Sequence, residues 1–550
     1  MVGNQDTTSF STLPSKRKKV WMDYLIQLRC IFIIFVVLPI SFVIRFFKYV
    51  GDKNAETYLF IDSDGGQSKH TSRVEKVAEH MRKRDPYKDG FVCTSRNPNH
   101  SIGMRNLDYK RVRHFEVDLS TFRSIIRFDK KQMIIKVEPM VTISQITRIT
   151  LPASLSIPVV SELGDLTVGG LINGFGIGVS SFKYGSFSEM VISMEIVLAD
   201  GQVVIAKKDN EYSDLFYGVP WSLGTLGILV SAEIKLIRVA QYMKVTYKPI
   251  KGDATCLRDV SENLCLTYDH TILGIEGIIY NPANAVIVIG EYCTLLEATR
   301  AGSVRNSIGW WFKPWFYQHA KKALDKGQFT EYIPIKEYYQ RHRRSYFWGC
   351  KLIIPFADRW WFRYVLGWLM PPNIFLLKTT QTEAMRNYYH SKLLIQNVLV
   401  PNHKLYDALK FIHREIEIYP IWICPIRLFY HGAKTMVCFE NNNDTNRYNS
   451  QVYSNIGICH APAAVTRGDV FISSEVVKTL EDWVIENHGF QSHLGVTELS
   501  ERNFWRMFNR EHYEQCRAKY KSVGTFLDVY NKCKKEIKFD EVEQSETLRN

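Results

Sequence analysis

The stretch GDLTVGGLINGFGIGVSSFKYG, residues 164–185, holds seven of the 32 glycines in a chain of 550 residues. Glycine is entropically costly in regular structure, so this density indicates turns with positive φ or a close approach of another group to the main chain. A phosphate-binding loop, closely packed helices and plain turns are the possible explanations.

Two nucleotide-binding signatures do not fit this stretch. A Walker A loop needs Lys-Ser or Lys-Thr after its glycines, and none follows here, while Gly174, Gly176 and Gly178 fail the GxGxxG spacing. The GxxxG spacings that begin at Gly170 are typical of membrane helix pairs, but Asn173 interrupts a short apolar run. The remaining interpretation is a loop whose backbone amides bind an anion, most naturally a dinucleotide diphosphate.

Composition and charge limit the class of protein. With 46% hydrophobic and 13% aromatic residues, the chain can bury large cores and form two to four domains. Its eleven cysteines show neither a CxxC pair nor a Cys/His cluster at zinc spacing, which predicts reduced packing thiols and no metal. The net charge of +14 suits an anionic partner, and without a nucleic-acid motif it favours a membrane surface over nucleic acid. The sequence does not predict an oligomeric state.

The N-terminal segment, residues 1–55, predicts a membrane anchor. A nonpolar run at 30–44 lies within an apolar segment long enough for a bilayer helix at about residues 25–47, with Arg29 and Arg45 placed to snorkel. No small-residue cleavage site follows, so an anchor is favoured over a signal peptide. The flanking basic residues favour a lumenal body, whereas the free cysteines favour a cytosolic one.

Residues 56–240 show the alternating helix and strand patterns of an α+β domain. An Asp-Gly turn at residues 200–201 predicts a hairpin. The predicted helices lie at 72–84 and 144–150, and the predicted strands at 114–118, 125–128, 133–137 and 231–237.

From residue 241 to about 510 the pattern indicates a second α+β domain, in which aromatic and basic residues crowd together. Most of these aromatics are expected in the core, and the remainder can line an apolar pocket or contact lipid headgroups. Residues 511–550 predict a charged C-terminal helix and tail, with the final thirty residues frayed.

Longer motifs identify a family. TVGGLINGFG (167–176), KYG (183–185), EIVLADG (195–201) and SLGTLG (222–227) resemble the FAD-binding domain of the vanillyl-alcohol-oxidase and p-cresol-methylhydroxylase (VAO/PCMH) superfamily. NEYSDLFYGVPWS (210–222), RYVLGWLMPP (363–372) and YPIWICP (419–425) resemble the sterol Δ24-reductases, the Diminuto and seladin family. The resemblance extends over nearly the whole chain, including the N-terminal anchor.

The resemblance implies an α+β fold with a two-subdomain, PCMH/VAO-type FAD-binding domain at 56–240 and a substrate (cap) domain at 241–510. It implies a reductase that transfers hydride from NADPH through FAD to the side-chain double bond of a sterol. The expected location is the endoplasmic reticulum membrane, with a single-pass anchor and a cytosolic catalytic body. Two alternatives stay open: a flavin oxidase that uses oxygen or another substrate, and a non-catalytic lipid-binding or scaffold relative.

The resemblance also implies site residues. Glu195 has two interpretations, orienting the cofactor or pairing with a basic side chain. Gly224, Thr225 and Gly227 are expected to pass the flavin ring. The other implied cofactor contacts are Ser95, Arg96, Thr167, Val168, Gly169, Gly170, Leu171, Ile172, Asn173, Gly174, Phe175, Gly176, Ile177, Gly178, Val179, Lys183, Tyr184 and Gly185. For Ser95 and Arg96, a simple turn before Pro98 is the alternative interpretation.

The proton donor is not ranked by the sequence. An alkene needs hydride at one carbon and a proton at the other. By residue type alone, the candidates are Tyr184, His319, Tyr338 and Tyr453. Arg341, Arg343 and Arg344 form either a site for the 2′-phosphate of NADPH or a solvated charged surface.

The chain departs from the family pattern at several titratable positions. Gly178 and Phe182 stand where the family tends to have a carboxylate and an imidazole, so FAD is expected to be held noncovalently. Gly164 and Gly349 replace further acidic residues, and Asn397 and Asn455 stand at acidic positions. These losses predict relaxed or redirected chemistry.

Overall fold

A long N-terminal helix leads into a body built on two main β-sheets. The computed structural model describes residues 16–59, 63–101, 103, 108–110, 114–253, 255–265, 271–302, 305–437 and 449–534.

The strands of the described chain, in sequence order, are β1 (Val92–Thr94), β2 (Phe115–Val117), β3 (Ile125–Asp129), β4 (Ile134–Val137), β5 (Leu155–Ser156), β6 (Val191–Val197), β7 (Val203–Lys207), β8 (Ile228–Lys235), β9 (Ile237–Arg238), β10 (Tyr242–Lys251), β11 (Ile272–Asn281), β12 (Asn284–Cys293), β13 (Phe329–Pro334), β14 (Leu394–Pro401), β15 (Ile421–Phe429), β16 (Ser450–His460) and β17 (Phe490–Gln491).

The α-helices of the same residues are α1 (Lys16–Phe32), α2 (Leu38–Leu59), α3 (Ser63–Arg82), α4 (Ile143–Thr150), α5 (Val168–Asn173), α6 (Ser181–Tyr184), α7 (Ser213–Gly218), α8 (Cys256–Cys265), α9 (Leu295–Arg300), α10 (Phe316–Lys321), α11 (Ala323–Lys326), α12 (Ile335–Tyr339), α13 (Gly349–Ile353), α14 (Trp360–Leu366), α15 (Ile374–Thr379), α16 (Glu383–Lys392), α17 (Leu405–Phe411), α18 (Ala463–Arg467), α19 (Ser473–Glu486), α20 (Glu501–Phe504), α21 (Arg510–Lys519) and α22 (Val529–Cys533).

The first main sheet has five strands in the order β3-β4-β8-β6-β7, all antiparallel to their neighbours. β1 and β2 form a separate parallel pair, and β5 and β9 an antiparallel pair. α3 packs against β3 and β6. The predicted hairpin is β6-β7, with Gly201 at φ +78° in its turn. α4 begins with a capping box between Thr142 and Gln145, which explains why that helix starts where the sequence predicts.

The second main sheet has eight antiparallel strands in the order β13-β10-β12-β11-β15-β16-β14-β17. Its central strand β11 has eight consecutive buried residues, as expected for a strand covered on both faces. The helical segments α6, α8 and α17 cover this sheet.

The C-terminal residues return to the first sheet, so the predicted frayed tail is wrong for residues 521–534. Val92 donates its amide to the Thr525 carbonyl at 2.8 Å, and Phe526 and Leu527 are both buried. α21 packs against α7. Residues 535–550 of the predicted tail lie outside the described residues.

The N-terminal helix is continuous, because a π-helical segment at Ile33–Val37 joins α1 to α2. Residues Tyr24–Gly51 are long and apolar enough to cross a membrane. Their most apolar stretch of 18 residues has a mean hydropathy of 2.7, and 33% of that stretch is buried. One side of this helix therefore packs on the body.

Candidate active site

The glycine stretch forms two short helices, α5 and α6, and not the single open loop that the sequence predicts. The Gly169 amide donates to the Pro139 carbonyl at 2.8 Å, and the Gly174 amide to the Gly170 carbonyl at 3.1 Å. These amides are occupied, so the predicted anion-binding nest is wrong at Gly169 and Gly174.

Close packing explains several of the glycines. A Cβ at Gly178 would overlap the Val160 carbonyl, and a Cβ at Gly176 would lie 2.7 Å from Phe187. Gly170 differs, because it is exposed and a Cβ there would meet only Thr167 Oγ1, at 3.3 Å. The part of the stretch that a ligand can approach is therefore its first helix, α5.

Cationic side chains gather beside Thr167. Arg96 Nη1 donates to Thr167 Oγ1 at 3.3 Å, which joins the predicted loop at 95–96 to the glycine stretch. Lys110 Nζ fixes that loop by donating to the carbonyls of Thr94 and Arg96, both at 2.9 Å. Burial lowers the pKa of the Arg96 guanidinium, and the neighbouring Arg123 lowers it further.

The charges of the two arginines also act on His100. Burial lowers the pKa of His100, and the nearby positive charges of Arg96 and Arg123 lower it further. The nearby carboxylate of Asp118 accepts hydrogen bonds from Ser95 Oγ at 3.1 Å and from the Ser120 amide at 2.7 Å. The two arginines at this edge therefore fit a diphosphate, for which charge-assisted hydrogen bonds are the strong ones.

A strained segment lies against the same edge. Trp221, Leu223 and Gly224 have φ of +70°, +56° and +69°, a region that is costly for the two residues that carry a Cβ. The Leu223 amide donates to the Asn173 carbonyl at 2.7 Å, and Lys532 Nζ donates to the Leu223 carbonyl at 3.2 Å. A Cβ at Gly224 would meet only Asn173, at 3.7 Å. The structure thus brings together the predicted residues at 96, 167–174 and 224.

Other predicted contact residues are packed away from this edge. Thr225 Oγ1 is buried and bonded to Tyr513 Oη at 2.7 Å, and a Cβ at Gly227 would lie 2.6 Å from Ile196. A Cβ at Gly185 would lie 2.7 Å from Glu189. Contacts from these positions to a cofactor stay predictions.

Glu195 pairs with a basic side chain, the second of its two interpretations. His70 Nε2 lies 2.9 Å from its carboxylate, and Ser231 Oγ donates to it at 2.6 Å. Burial opposes ionisation, but these two hydrogen bonds lower the pKa of Glu195 to about 2. On its other side, His70 Nδ1 lies 2.8 Å from Glu138 Oε1.

A buried ionic cluster lies beneath the glycine stretch. Arg341 forms two hydrogen bonds with the carboxylate of Glu276, at 2.8 and 2.9 Å, and Trp422 Nε1 donates to the same carboxylate at 2.7 Å. Glu162 lies 3.4 Å from Arg341 Nη2, and burial raises the pKa of Glu162 to about 7. His342 Nε2 lies 3.3 Å from Glu276, while burial lowers the pKa of His342 to about 4.

Tyr338 stands next to this cluster. The Arg341 guanidinium lies 4.8 Å from the centre of its ring, and a Cβ at Gly274 would lie 3.0 Å from Tyr338 Oη and 2.8 Å from Val179. The hydroxyl is buried, and the described residues offer it no hydrogen-bond partner. Burial raises the pKa of Tyr338, so the hydroxyl keeps its proton at neutral pH.

The other donor candidates are placed differently. His319 Nε2 lies 2.8 Å from Glu331, and Tyr453 Oη donates to the His488 carbonyl at 3.3 Å. Tyr184 is half-buried at the end of α6, and burial raises its pKa. The structure brings Tyr338 close to Val179, which lies between α5 and α6 of the glycine stretch.

Arg341 and Arg344 are structural, which corrects both interpretations for these two residues, whereas Arg343 is a partly exposed member of a surface ion pair. Arg341 is bound to Glu276, and Arg343 lies 3.3 Å from Asp165. Arg344 donates to five carbonyls in the segment from Ile308 to Pro314, and burial lowers its pKa to about 10. Arg341 and Arg344 hold loops together.

The departures from the family pattern have different surroundings. Phe182 is buried in the core of the second sheet, whereas a Cβ at Gly349 would meet only Tyr346, at 3.8 Å. Asn455 is buried, and neither polar atom of its side chain has a partner among the described residues. The fold is therefore kept at positions 182, 349 and 455 without the titratable side chains that the family tends to have there.

Four residues of this region escaped the sequence analysis: Lys110, Arg123, Glu162 and Lys532. Lys110 follows β1 and Arg123 follows β2. The only feature of the sequence that could have indicated them is that they are basic residues near the predicted phosphate-contacting loop. Lys532 lies far along the chain, so no local pattern connects it with Leu223.

Comparison with known proteins agrees with this geometry. Residues 77–207 match the model of an FAD binding domain. The chain is 51% identical to Delta(24)-sterol reductase of Pisum sativum, over 97% of this chain and 96% of the relative. It is 51% identical to the protein of that name from Arabidopsis thaliana (96% of each chain) and 35% identical to that from Homo sapiens (93% of this chain, 94% of the relative).

The matched FAD binding domain includes Arg96, Thr167 and Gly170, the residues at the cationic edge. Near-complete coverage of both chains extends the similarity through the second sheet as well. The chain therefore belongs to the Delta(24)-sterol reductase family.

Proposed function

We propose that this protein is a membrane-attached, FAD-dependent reductase that uses NADPH to reduce the side-chain double bond of a sterol. The observation that carries the proposal is the edge where Arg96, Thr167, exposed Gly170 and Gly224 meet, within a chain of this family. The expected location is the endoplasmic reticulum membrane, with the body in the cytosol, where NADPH is available.

The residues present fit FAD. Arg96 and Arg123 supply positive charge for its diphosphate, and Gly170 and Gly224 leave space in which a ligand can approach the main chain. Lys110 and Lys532 hold the two flanking loops in place. When bound, FAD supplies the transfer of hydride from NADPH to one alkene carbon.

Tyr338 is the group we assign to protonate the second alkene carbon. Its Oη carries a proton at neutral pH, is shielded from water and has no competing acceptor among the described residues. The adjacent Arg341 stabilises the phenolate left after the proton is given up, and water that enters the site when the product leaves restores that proton. NADPH thus provides two electrons as hydride, and one proton from water completes the reduction.

A non-catalytic relative that keeps FAD is the second candidate. It is favoured by Asn455, whose buried amide has no partner among the described residues, together with the glycine at position 349. An unpaired buried amide is unfavourable, and at position 455, where the family tends to have an acidic residue, it favours a site that has lost part of its polar network.

One anaerobic titration separates the candidates. The full-length protein is purified in detergent, its flavin spectrum is recorded, and NADPH and then a sterol with an unsaturated side chain are added. Bleaching followed by sterol-dependent recovery supports the reductase. Flavin that NADPH cannot bleach supports the relative without activity, and a protein that takes up no flavin contradicts both.

A pair of variants tests the cationic edge. Arg123→Ala combined with Arg96→Ala should release the flavin, because the positive charge that faces the diphosphate is lost. Arg127→Ala is the matched control, since Arg127 is an exposed arginine of β3 that lies 3.4 Å from Glu233. Equal flavin content in all three proteins would contradict the assignment.

A further inference from the structure

The N-terminal helix is docked along one side onto the body. Its buried residues recur every three or four positions, which places them in one stripe of the helix. They are Arg29, Cys30, Ile33, Ile34, Val37, Leu38 and Ser41.

Polar contacts fix the helix at both ends of this stripe. Arg29 Nη2 donates to the Leu377 carbonyl at 2.8 Å, and Arg45 Nη2 donates to the Leu369 carbonyl at 2.6 Å. The predicted snorkelling of these two arginines is wrong, because both reach carbonyls of the body. Between them, Ser41 Oγ accepts a hydrogen bond from the Asn373 amide at 2.8 Å.

These contacts are incompatible with a helix that crosses a bilayer alone. The sixteen-residue rise from Arg29 to Arg45 is about 24 Å, most of a bilayer core. A crossing helix would carry the body segment around α15 into the hydrocarbon. Lys48 lies 3.9 Å from partly exposed Asp165, so charged groups of the body would follow it into lipid, where they are costly.

The opposite face of the helix is apolar and open, and the body continues it. Phe35 and Phe47 are among its most exposed residues. The rings of Phe42 and Trp368 are in edge contact at 5.0 Å, which connects the helix to an aromatic patch around α14. That patch consists of the exposed residues Trp310, Trp311, Trp360, Trp361, Tyr364, Val365 and Trp368.

We propose that the N-terminal helix lies in the plane of the membrane and that its outer face and the aromatic patch enter one leaflet together. The occupant of this surface is a phospholipid bilayer. Trp and Tyr favour the headgroup depth of a bilayer, and an apolar area of this extent is unusual on a protein that stays in water. The inference rests on the membrane attachment in the proposed function, but replaces the single-pass anchor by attachment to one leaflet.

Disulfide trapping in native membranes tests the docking. Ser41→Cys with Asn373→Cys should form a disulfide under mild oxidation, detected as a linked peptide pair by mass spectrometry. Val43→Cys with Asn373→Cys is the control, because Val43 is 48% exposed on the outer face. Absence of the link in the first pair, or equal linking in both, would overturn the inference.

Protease protection of sealed microsomes tests the topology. With one epitope tag at each terminus of the full chain, both tags should be equally accessible, because the helix does not cross. Digestion of one tag and protection of the other would overturn the inference while leaving membrane attachment intact. Release of the protein by a salt wash would contradict the membrane attachment itself.

Replacing the patch tests the contact with lipid. Trp360→Ser with Trp361→Ser should lower flotation of the full-length protein with phosphatidylcholine and phosphatidylserine vesicles several-fold. Tyr87→Ser, at a 99% exposed tyrosine of the body, should leave flotation unchanged. Unchanged flotation of the double variant would remove the patch from the proposed surface.

Discussion

Tyr338 shows how a single residue combines burial with an unused hydrogen-bond donor. Buried polar atoms are nearly always paired, so an exception next to a candidate site needs an explanation, and proton donation is the one that we propose for Tyr338. The two glycines that face its hydroxyl, Gly274 and Gly290, leave no room for a side chain there, since a Cβ would lie 3.0 and 2.7 Å from Oη. The position of the hydroxyl is therefore fixed by main chain on two strands.

The Tyr338→Phe variant should fold and bind flavin normally, because the hydroxyl makes no hydrogen bond to the described residues. Reduction of the sterol should fall by about 100-fold or more, as expected for loss of a general acid. NADPH bleaching of the flavin should be unchanged, which separates proton donation from cofactor binding. Tyr453→Phe serves as the control; a normal sterol rate in Tyr338→Phe would exclude Tyr338 as the donor.

At the scale of elements, most glycines of the stretch 164–185 allow close packing, and few of them are free to contact an anion. The second half of the stretch lies against Val160 and Phe187, and only Gly170 is open. The resemblance to a flavin-binding family predicted the right region. The sequence could not distinguish these roles, since close packing depends on a neighbour that the local pattern does not reveal. Periodicity did locate α4 and the β6-β7 hairpin, whose signals are local.

Two glycine variants should therefore separate stability from binding. Gly178→Ala should lower the thermal midpoint, because the added methyl overlaps a main-chain carbonyl and overpacking costs about 1–3 kcal/mol. Gly170→Val should leave the midpoint of the flavin-free protein nearly unchanged but weaken flavin binding. Thermal unfolding monitored with and without added FAD measures both effects, and the reverse pattern would contradict this division of roles.

His70 joins α3 to the first sheet through Glu138 and Glu195, and it makes that junction pH-dependent. Burial alone would lower the pKa of His70, but the two hydrogen-bonded carboxylates raise it above its usual value. The folded state therefore binds the proton more tightly than the unfolded chain, whose histidine pKa is about 6.5. The resulting stabilisation is complete below that pH and is lost as pH rises through the folded pKa.

The His70→Gln variant should remove this dependence. The difference in thermal midpoint between the original protein and the variant should shrink as pH rises from about 6 to 9, because only the protonated imidazole is stabilised. Lys76→Gln, at an exposed position of the same helix, should follow the original protein at every pH. A difference that grows with pH would contradict a raised pKa.

For the whole molecule, the decisive feature is the return of the C-terminal residues to the first sheet. Arg517 is buried and donates to the Thr225 carbonyl at 3.3 Å and to the Phe526 carbonyl at 2.8 Å, next to the strained segment at 221–224. The charged composition after residue 511 predicted a tail, because the few apolar residues there find their partners only across the fold. Contacts between residues so far apart in the chain leave no local pattern in the sequence from which they could be predicted.

Arg517→Ala should destabilise the protein and reduce flavin retention together, since two buried carbonyls lose a charged donor, at a cost of about 1–3 kcal/mol. Lys519→Ala is the control on the same helix; it removes an exposed ion pair with Asp214, worth less than about 1 kcal/mol. Chemical denaturation followed by tryptophan and flavin fluorescence would measure both. Equal effects of the two substitutions would contradict a special role for Arg517.

The bond from Arg84 Nη1 to Thr525 Oγ1, at 3.5 Å, joins positions 441 residues apart and places a constraint on biosynthesis. A ribosome adds about 5–20 residues per second, so the nascent first sheet waits on the order of half a minute for its closing segment. In the first part of that interval the N-terminal helix has already left the exit tunnel, whereas its docking partner around α15 has not yet been synthesised. We therefore expect nascent chains that stall before residue 525 to lack bound flavin and to aggregate.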